Sequence, residues 1–184
     1  MAKIGLRYLL AAKLNESGAY EGGIEFAKAI KAETTSNTSD DTVLYANDEQ
    51  AERASSPGTT SIAITADEID DETYAFLLGH TYSETDGLTI NENDQAPELG
   101  IGYCRSRQVN NIVTFRAHFL PRVKFSEPSD TGETKGATTS FTTYDLTGSV
   151  LSPTSGNREY RKTFDTADAA LTWLKEKLGM TTGG

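Results

Sequence analysis

The sequence predicts a mainly β protein: a β-sandwich or barrel-like fold with one internal flanking helix and a C-terminal helix. Three observations predict it. Apolar and polar residues alternate in short runs along most of the chain, the period of strands with one buried face. Gly, Pro, Asn and Asp punctuate those runs, as turns require. Only two stretches, near 70–78 and 165–178, carry helix caps and helical spacing.

A first strand is expected over 4–14. Ile4, Leu6, Tyr8, Leu10, Ala12 and Leu14 fall on one face, and Gly5, Arg7, Leu9, Ala11 and Lys13 on the other. The same segment could be misread as a signal peptide, but Arg7 would sit inside its apolar core. Residues 15–23 form a Gly-rich turn, and 24–36 a long strand with Ile24, Phe26, Ile30 and Ala32 together. Residues 37–58 are polar and acidic with little periodicity, interrupted by Val43, Leu44 and Tyr45. So long an excursion in a compact domain is usually functional or disordered, and it is expected to be an interaction arm. Residues 59–65 return as a strand with Ile62 and Ile64 facing together.

The internal helix spans 70–78. Asp70 suits the N-cap, and Asp71 and Glu72 meet the positive end of the dipole. Ile69 and Tyr74 stand as a hydrophobic staple, and Gly79 supplies the left-handed stop. After a polar loop at 91–97, residues 98–107 and 111–125 read as a hairpin across Asn110 and Asn111. The second strand looks two-faced. Val113, Phe115, Ala117, Phe119, Val123 and Phe125 point one way, and Thr114, Arg116, His118, Arg122 and Lys124 the other, as in an antiparallel strand with one wet face. A turn at 126–136 leads to a Thr-rich strand at 137–151. Its apolar parity changes between Phe141 and Tyr144, which a bulge near Thr142 and Thr143 would explain. A short strand at 158–164 precedes a helix capped by Asp165 or Thr166. Ala170, Leu171, Leu174 and Leu178 line that helix, and Gly179 ends it. Met180 to Gly184 reads as a loose tail.

The 184 residues suit one domain, 1–184, large enough to bury roughly 70% of the surface its unfolded chain exposes. The net charge of −10 argues against a nucleic-acid grip, which needs clustered positive surface. Cys104 is the one cysteine, so no intrachain disulfide can form, and it reads as a packed small hydrophobe. No run approaches the ~20 apolar residues of a membrane helix.

Chemistry is hard to find. The run Asp67, Glu68, Asp70, Asp71 and Glu72 fits helix capping better than cation binding. Residues 91–94 (Asn-Glu-Asn-Asp) lack the central Gly and distal Glu of a calcium loop. His80 and His118 have no neighbouring partners that suggest a triad or metal site. Gly100 and Gly102, inside a strand, mark close backbone approach. No catalytic, cofactor-binding or metal-binding residue is assigned. The basic strand face of Arg116, His118, Arg122 and Lys124 reads as a solvated or salt-bridging surface rather than a nucleic-acid patch. Opposite the acidic arm it would suit a heterologous contact between copies, which builds rings or helical tubes.

Two segments carry a family likeness: 122–136 (Arg-Val-Lys-Phe-Ser-Glu-Pro-Ser-Asp-Thr-Gly-Glu-Thr-Lys-Gly) and 161–174 (Arg-Lys-Thr-Phe-Asp-Thr-Ala-Asp-Ala-Ala-Leu-Thr-Trp-Leu). Weaker echoes are 2–8 (Ala-Lys-Ile-Gly-Leu-Arg-Tyr), 76–80 (Phe-Leu-Leu-Gly-His) and 97–103 (Pro-Glu-Leu-Gly-Ile-Gly-Tyr). In combination they resemble the major tail proteins of long-tailed, non-contractile phages of Gram-positive bacteria. Residues 33–58 depart most from that pattern.

The resemblance implies a tail tube fold whose subunits form hexameric rings that stack into a tube. Inner strands join edge to edge around the channel, and a long loop, here about 37–58, reaches the next ring. Arm candidates are Asp40, Asp41, Tyr45, Asp48, Glu49, Glu52 and Arg53. The strand and helix at 158–179 close the domain. The implied partners are further copies of the chain, a tape-measure protein in the lumen, and tail terminator and distal tail proteins at the ends. Genomic double-stranded DNA would pass without specific binding, and no membrane or cofactor is implied. The implied location is the virion tail, assembled in the bacterial cytoplasm. Glu33, Asp40, Asp41 and Asp145 are candidates to line an acidic lumen. The alternatives are another virion β-sandwich, such as a head–tail joining or decoration protein, or a carbohydrate-binding module.

Overall fold

The computed structural model describes residues 2–26, 29–37, 42–46, 49–54, 58–110, 112–128, 143–153 and 155–180. It is mainly β, sandwich-like and antiparallel, with one internal and one C-terminal helix. The strands are β1 (Ala2–Leu14), β2 (Tyr20–Glu25), β3 (Ala29–Ser36), β4 (Thr42–Ala46), β5 (Glu49–Ala54), β6 (Thr60–Ala66), β7 (Thr81–Ser83), β8 (Gly87–Thr89), β9 (Leu99–Val109), β10 (Ile112–Ser126), β11 (Tyr144–Val150) and β12 (Tyr160–Phe164). Helix α1 (Asp71–Leu78) precedes β7, and α2 (Ala167–Lys177) follows β12.

One sheet runs β2-β1-β9-β10-β11-β6-β3, with β12 added on β10. The fork lies in β10, which pairs with β12 over Phe115–Phe119 and with β11 over Val123–Ser126. The β1-β9-β10 layer is therefore covered on both faces. Its inner face meets β6, β11 and α1 in a core of Leu9, Ala11, Ile62, Ile64, Leu77, Ile101, Tyr103, Leu120, Val123, Phe125 and Leu146. Its outer face meets α2, where Leu10, Ala12, Cys104, Ala117 and Phe119 pack on Ala170, Leu174 and Leu178.

Double coverage explains where simple alternation misleads. In β1 the parity switches at Tyr8, which has φ 54, and the register with β9 shifts between Arg7 and Leu10. Leu6, Leu9 and Ala11 serve the inner core, whereas Tyr8, Leu10 and Ala12 face α2. The expected division of this strand into one apolar and one polar face is thus corrected.

The expected long strand 24–36 is two strands at opposite ends of the sheet. β2 pairs with β1 and β3 pairs with β6. Phe26, 1% exposed, plugs the core at the break, while Ile30, grouped with it from the sequence, is 56% exposed.

β10 departs from the two-faced reading in the same way. Its register with β9 shifts by one residue between Leu120 and Val123, a bulge holding Pro121 and Arg122. A proline has no N–H to give the ladder, so it fits there. Ala117 and Phe119 face α2, while Val123 and Phe125 face the inner core.

The helix ends follow local chemistry. Asp70 caps α1 by accepting from the Thr73 N–H at 2.6 Å, and Gly79 closes it at φ 80. Thr166, rather than Asp165, caps α2. An ideal Cβ on Gly100 would lie 2.5 Å from Tyr20 Cε1, and one on Gly102 would lie 3.1 Å from Leu174 Cδ2. The glycine pair lets α2 and Tyr20 sit directly on β9. Met180, expected in a loose tail, packs against the α2 cluster. The small β7–β8 hairpin has no counterpart in the sequence reading. The expected bulge at Thr142 and Thr143 and most of the 126–136 turn involve residues outside the described set.

Candidate functional site

The surfaces that could serve assembly are the arm, the open face of β3-β6-β11, and the two halves of β10. The arm departs from the tip of the β3–β6 hairpin and returns to it. Ser36 and Thr60 are cross-strand partners, and their hydroxyls lie 3.2 Å apart. The Asn37 N–H donates to the Thr59 carbonyl at 2.9 Å, closing the neck. Arg158 braces it from β12's side, donating to the Gly58 carbonyl at 2.8 Å and to Thr60 Oγ1 at 3.1 Å. Beyond the neck, β4 and β5 form a separate two-stranded sheet. Tyr45 lies on β4, and Glu49, Glu52 and Arg53 on β5, with Leu44 opposite Glu52 and Val43 opposite Arg53. Asp40, Asp41 and Asp48 lie outside the described residues. The stretch read as aperiodic therefore holds two paired strands, and the brace from Arg158, about a hundred residues away, left no signal in the sequence.

The sheet face away from the inner core on β3-β6-β11 is built of small polar residues. Glu33, Thr35, Ala63, Asp145, Thr147 and Ser149 are exposed, while their neighbours Ala32, Ile62, Ile64, Leu146 and Val150 are buried. Thr65 stands between Lys31 and Asp145 in the register and donates to Asp145 Oδ1 at 2.6 Å. Lys31 pairs with Glu33 at 2.6 Å. Two of the four lumen candidates, Glu33 and Asp145, thus share one face of one sheet. At the end of that sheet path, β3 has no backbone partner on its far side among the described residues.

The basic strand face does not exist as one surface. The bulge sends Arg116 and His118 inward and Arg122 and Lys124 to the other side. His118 is 5% exposed, stacked on Tyr103 at 4.8 Å between ring centroids. Its Nδ1 lies 2.6 Å from Glu159 Oε1. Burial pushes the His118 ring below its usual pKa, against the opposing pull of Glu159. Burial also works to raise Glu159, but hydrogen bonds from His118 and Arg161 outweigh it and bring the carboxyl down to about 2. Arg122 forks onto Glu98 at 2.8 and 2.7 Å, and those bonds hold the Glu98 carboxyl below its usual range. Lys124 alone of the four is exposed.

His80, which lacked a sequence neighbour, has Nδ1 2.9 Å from Asp94 Oδ2 and stacks on Tyr74. Asp94 also accepts from the Asn91 N–H at 2.9 Å, so the 91–94 loop is held by its own side chains. Cys104 is buried among apolar groups, which push its thiol up to about 11. A thiol so raised is a poor nucleophile. Among the described residues no group of three or more His, Cys, Asp or Glu side chains could hold a metal ion. Nor is any described helix long and apolar enough to cross a membrane.

Compared with known proteins, residues 10–182 match a model of the family described as phage tail tube protein. A search of curated proteins finds no match.

Proposed function

The chain belongs to the phage tail tube protein family, and on that premise we propose that it is the major tail tube subunit. As one tail-tube domain it forms hexameric rings that stack into a passive conduit for double-stranded DNA ejection. Its role is structural rather than catalytic, carried out in the virion tail after assembly in the host cytoplasm. The tape-measure protein fills the lumen beforehand, and terminator and distal tail proteins close the ends.

The observation that carries this reading is the closed neck of the arm. A hairpin that leaves and re-enters the fold at one braced point can move to a neighbouring copy without disturbing the core. Residues 42–54 are the segment we assign to inter-ring contact, with Tyr45, Glu49, Glu52 and Arg53 on its strands. The edge of β3, which has no backbone partner on its far side among the described residues, supports the ring. Edge pairing with a neighbour would protect that edge by closure between chains and continue the polar face of β3-β6-β11 around a channel. DNA carries about one negative charge per ~1.7 Å of its axis, so Glu33 and Asp145 facing it would discourage adhesion.

Negative-stain microscopy of the concentrated protein tests both parts. The full chain should give tubes of stacked six-membered rings. A variant with residues 38–57 replaced by a short Gly-Ser turn, which keeps Gly58 and its bond from Arg158, should give rings without tubes, at unchanged thermal stability. Tubes from the armless variant would overturn the inter-ring assignment, and closed rings of the full chain that never stack would overturn the tube.

A further inference from the structure

Inside the fold, where the inner face of β9 and β10 runs out beneath β3, lies a recess of about 230 Å³. Four arginines line it: Arg105 and Arg107 from β9, Arg116 from β10 and Arg161 from β12. Tyr103, His118 and Thr34 complete the wall, and no carboxylate lines it among the described residues. Arg105 and Arg116 are direct cross-strand partners, a placement of like charges that destabilises a sheet.

The chain meets part of this charge, and Arg107 too has an interaction of its own. Glu159 takes Arg161 at 2.5 Å. Arg105 donates to the Ala32 carbonyl and lies over the Tyr103 ring at 5.2 Å. Arg116 Nε is buried with no hydrogen-bond partner among the described residues. Buried polar atoms without partners are rare and call for a ligand or water. In a protein of net charge −10, such a concentration of guanidinium groups in one recess is not a by-product of overall basicity.

We propose that the recess is an oxyanion site for a small tetrahedral dianion, of which inorganic phosphate is the representative. A planar carboxylate is satisfied by a single guanidinium fork. Here the guanidiniums come from three different strands, which suits an acceptor with oxygens in several directions. The Thr34 and Tyr103 hydroxyls, 3.2 Å apart, add neutral donors. Occupancy would tie β3, β9, β10 and β12 together.

The test is thermal unfolding of the full chain in sodium phosphate and in sodium chloride at matched pH and ionic strength, with calorimetric titration of phosphate. The expected result is a saturable rise in Tm, roughly 5–10 °C at a hundredfold excess over Kd. Arg116→Gln should abolish the rise while melting no lower than the parent in chloride. Arg107→Gln serves as the second variant if the first does not fold. Lys124→Gln, on the far side of β10, should keep the rise. Equal melting in phosphate and chloride would overturn the site, as would an undiminished rise in both arginine variants. An equal rise in acetate would overturn the tetrahedral preference. Tube formation lost in Arg116→Gln without any phosphate effect would overturn the free-ion site and assign the recess to carboxylates of a neighbouring copy.

Discussion

Gly100→Ala should be one of the more damaging single-methyl additions in this protein, and its cost can be worked from three distances. The new Cβ would stand 2.5 Å from Tyr20 Cε1 and 2.9 Å from Leu178 Cδ2, where carbon atoms rest at about 3.5–4.0 Å. The Leu178 methyl can swing aside. The tyrosine ring cannot easily retreat the required ~1 Å, because its hydroxyl donates to the Pro121 carbonyl at 2.9 Å and its ring packs edge-on against Phe119. Overpacking costs about 1–3 kcal/mol, and loss of the hydroxyl bond about 1 kcal/mol. The lower entropy of the unfolded alanine chain offsets about 0.4–1 kcal/mol. A net loss of roughly 1.5–3 kcal/mol is expected. Gly102→Ala meets Leu174 and Leu178 methyls at 3.1 and 3.3 Å and the Leu174 Cβ at an ordinary 3.6 Å, and should cost under about 1 kcal/mol. The unfolded-state benefit is common to both, so their difference isolates the packing. Urea unfolding followed by the single tryptophan, Trp173, measures it, with equal slopes required for the comparison. If Gly102→Ala proves as costly as Gly100→Ala, or Gly100→Ala is neutral, Tyr20 is not the pinned element described.

Two further predictions concern charge. Asp70→Ala removes the acceptor for the Thr73 N–H and should lower stability by about 1 kcal/mol, whereas Asp70→Asn should stay within a few tenths; equal losses by urea titration would remove the capping role. Glu159 has its folded pKa depressed from 4.5 to about 2. Its contribution is therefore fully present above about pH 4.5 and is lost as pH falls toward 2. After allowance for solvent screening at this partly exposed carboxyl, that is about 1–2 kcal/mol. The stability gap between the native chain and Glu159→Gln should close across that window, and a gap independent of pH would refute the ion pairing.

Features set by neighbouring residues were legible in the sequence. Asp70, Gly79 and Thr166 act within one helical turn of themselves. Gly100 and Gly102 announced a close approach without saying what approached. What could not be read depends on partners far along the chain. Glu159 lies 41 residues from His118, and Arg158 about a hundred from the neck it braces. The division of 24–36 into two strands depends on which strand each half meets. The basic candidates Arg116, His118, Arg122 and Lys124 alternate in the sequence but not in space. Pro121 was the available clue, since a proline in mid-strand argues for a bulge.

The bulge at Pro121 and Arg122 also sets a rule about chain length. The bulge is one extra residue, so deleting Pro121 would leave Leu120 and Val123 two positions apart and still on one face, whereas unbroken pairing with both residues kept would turn Val123 and Phe125 outward and Lys124 into the core. The bulge thus matches the facing of the strand before it to that of the strand after it. A one-residue deletion should therefore be borne better at Pro121 than within Phe115–Phe119, where it would move the side chains that follow to the wrong face. A library of single-residue deletions walked along β10 would map that difference directly.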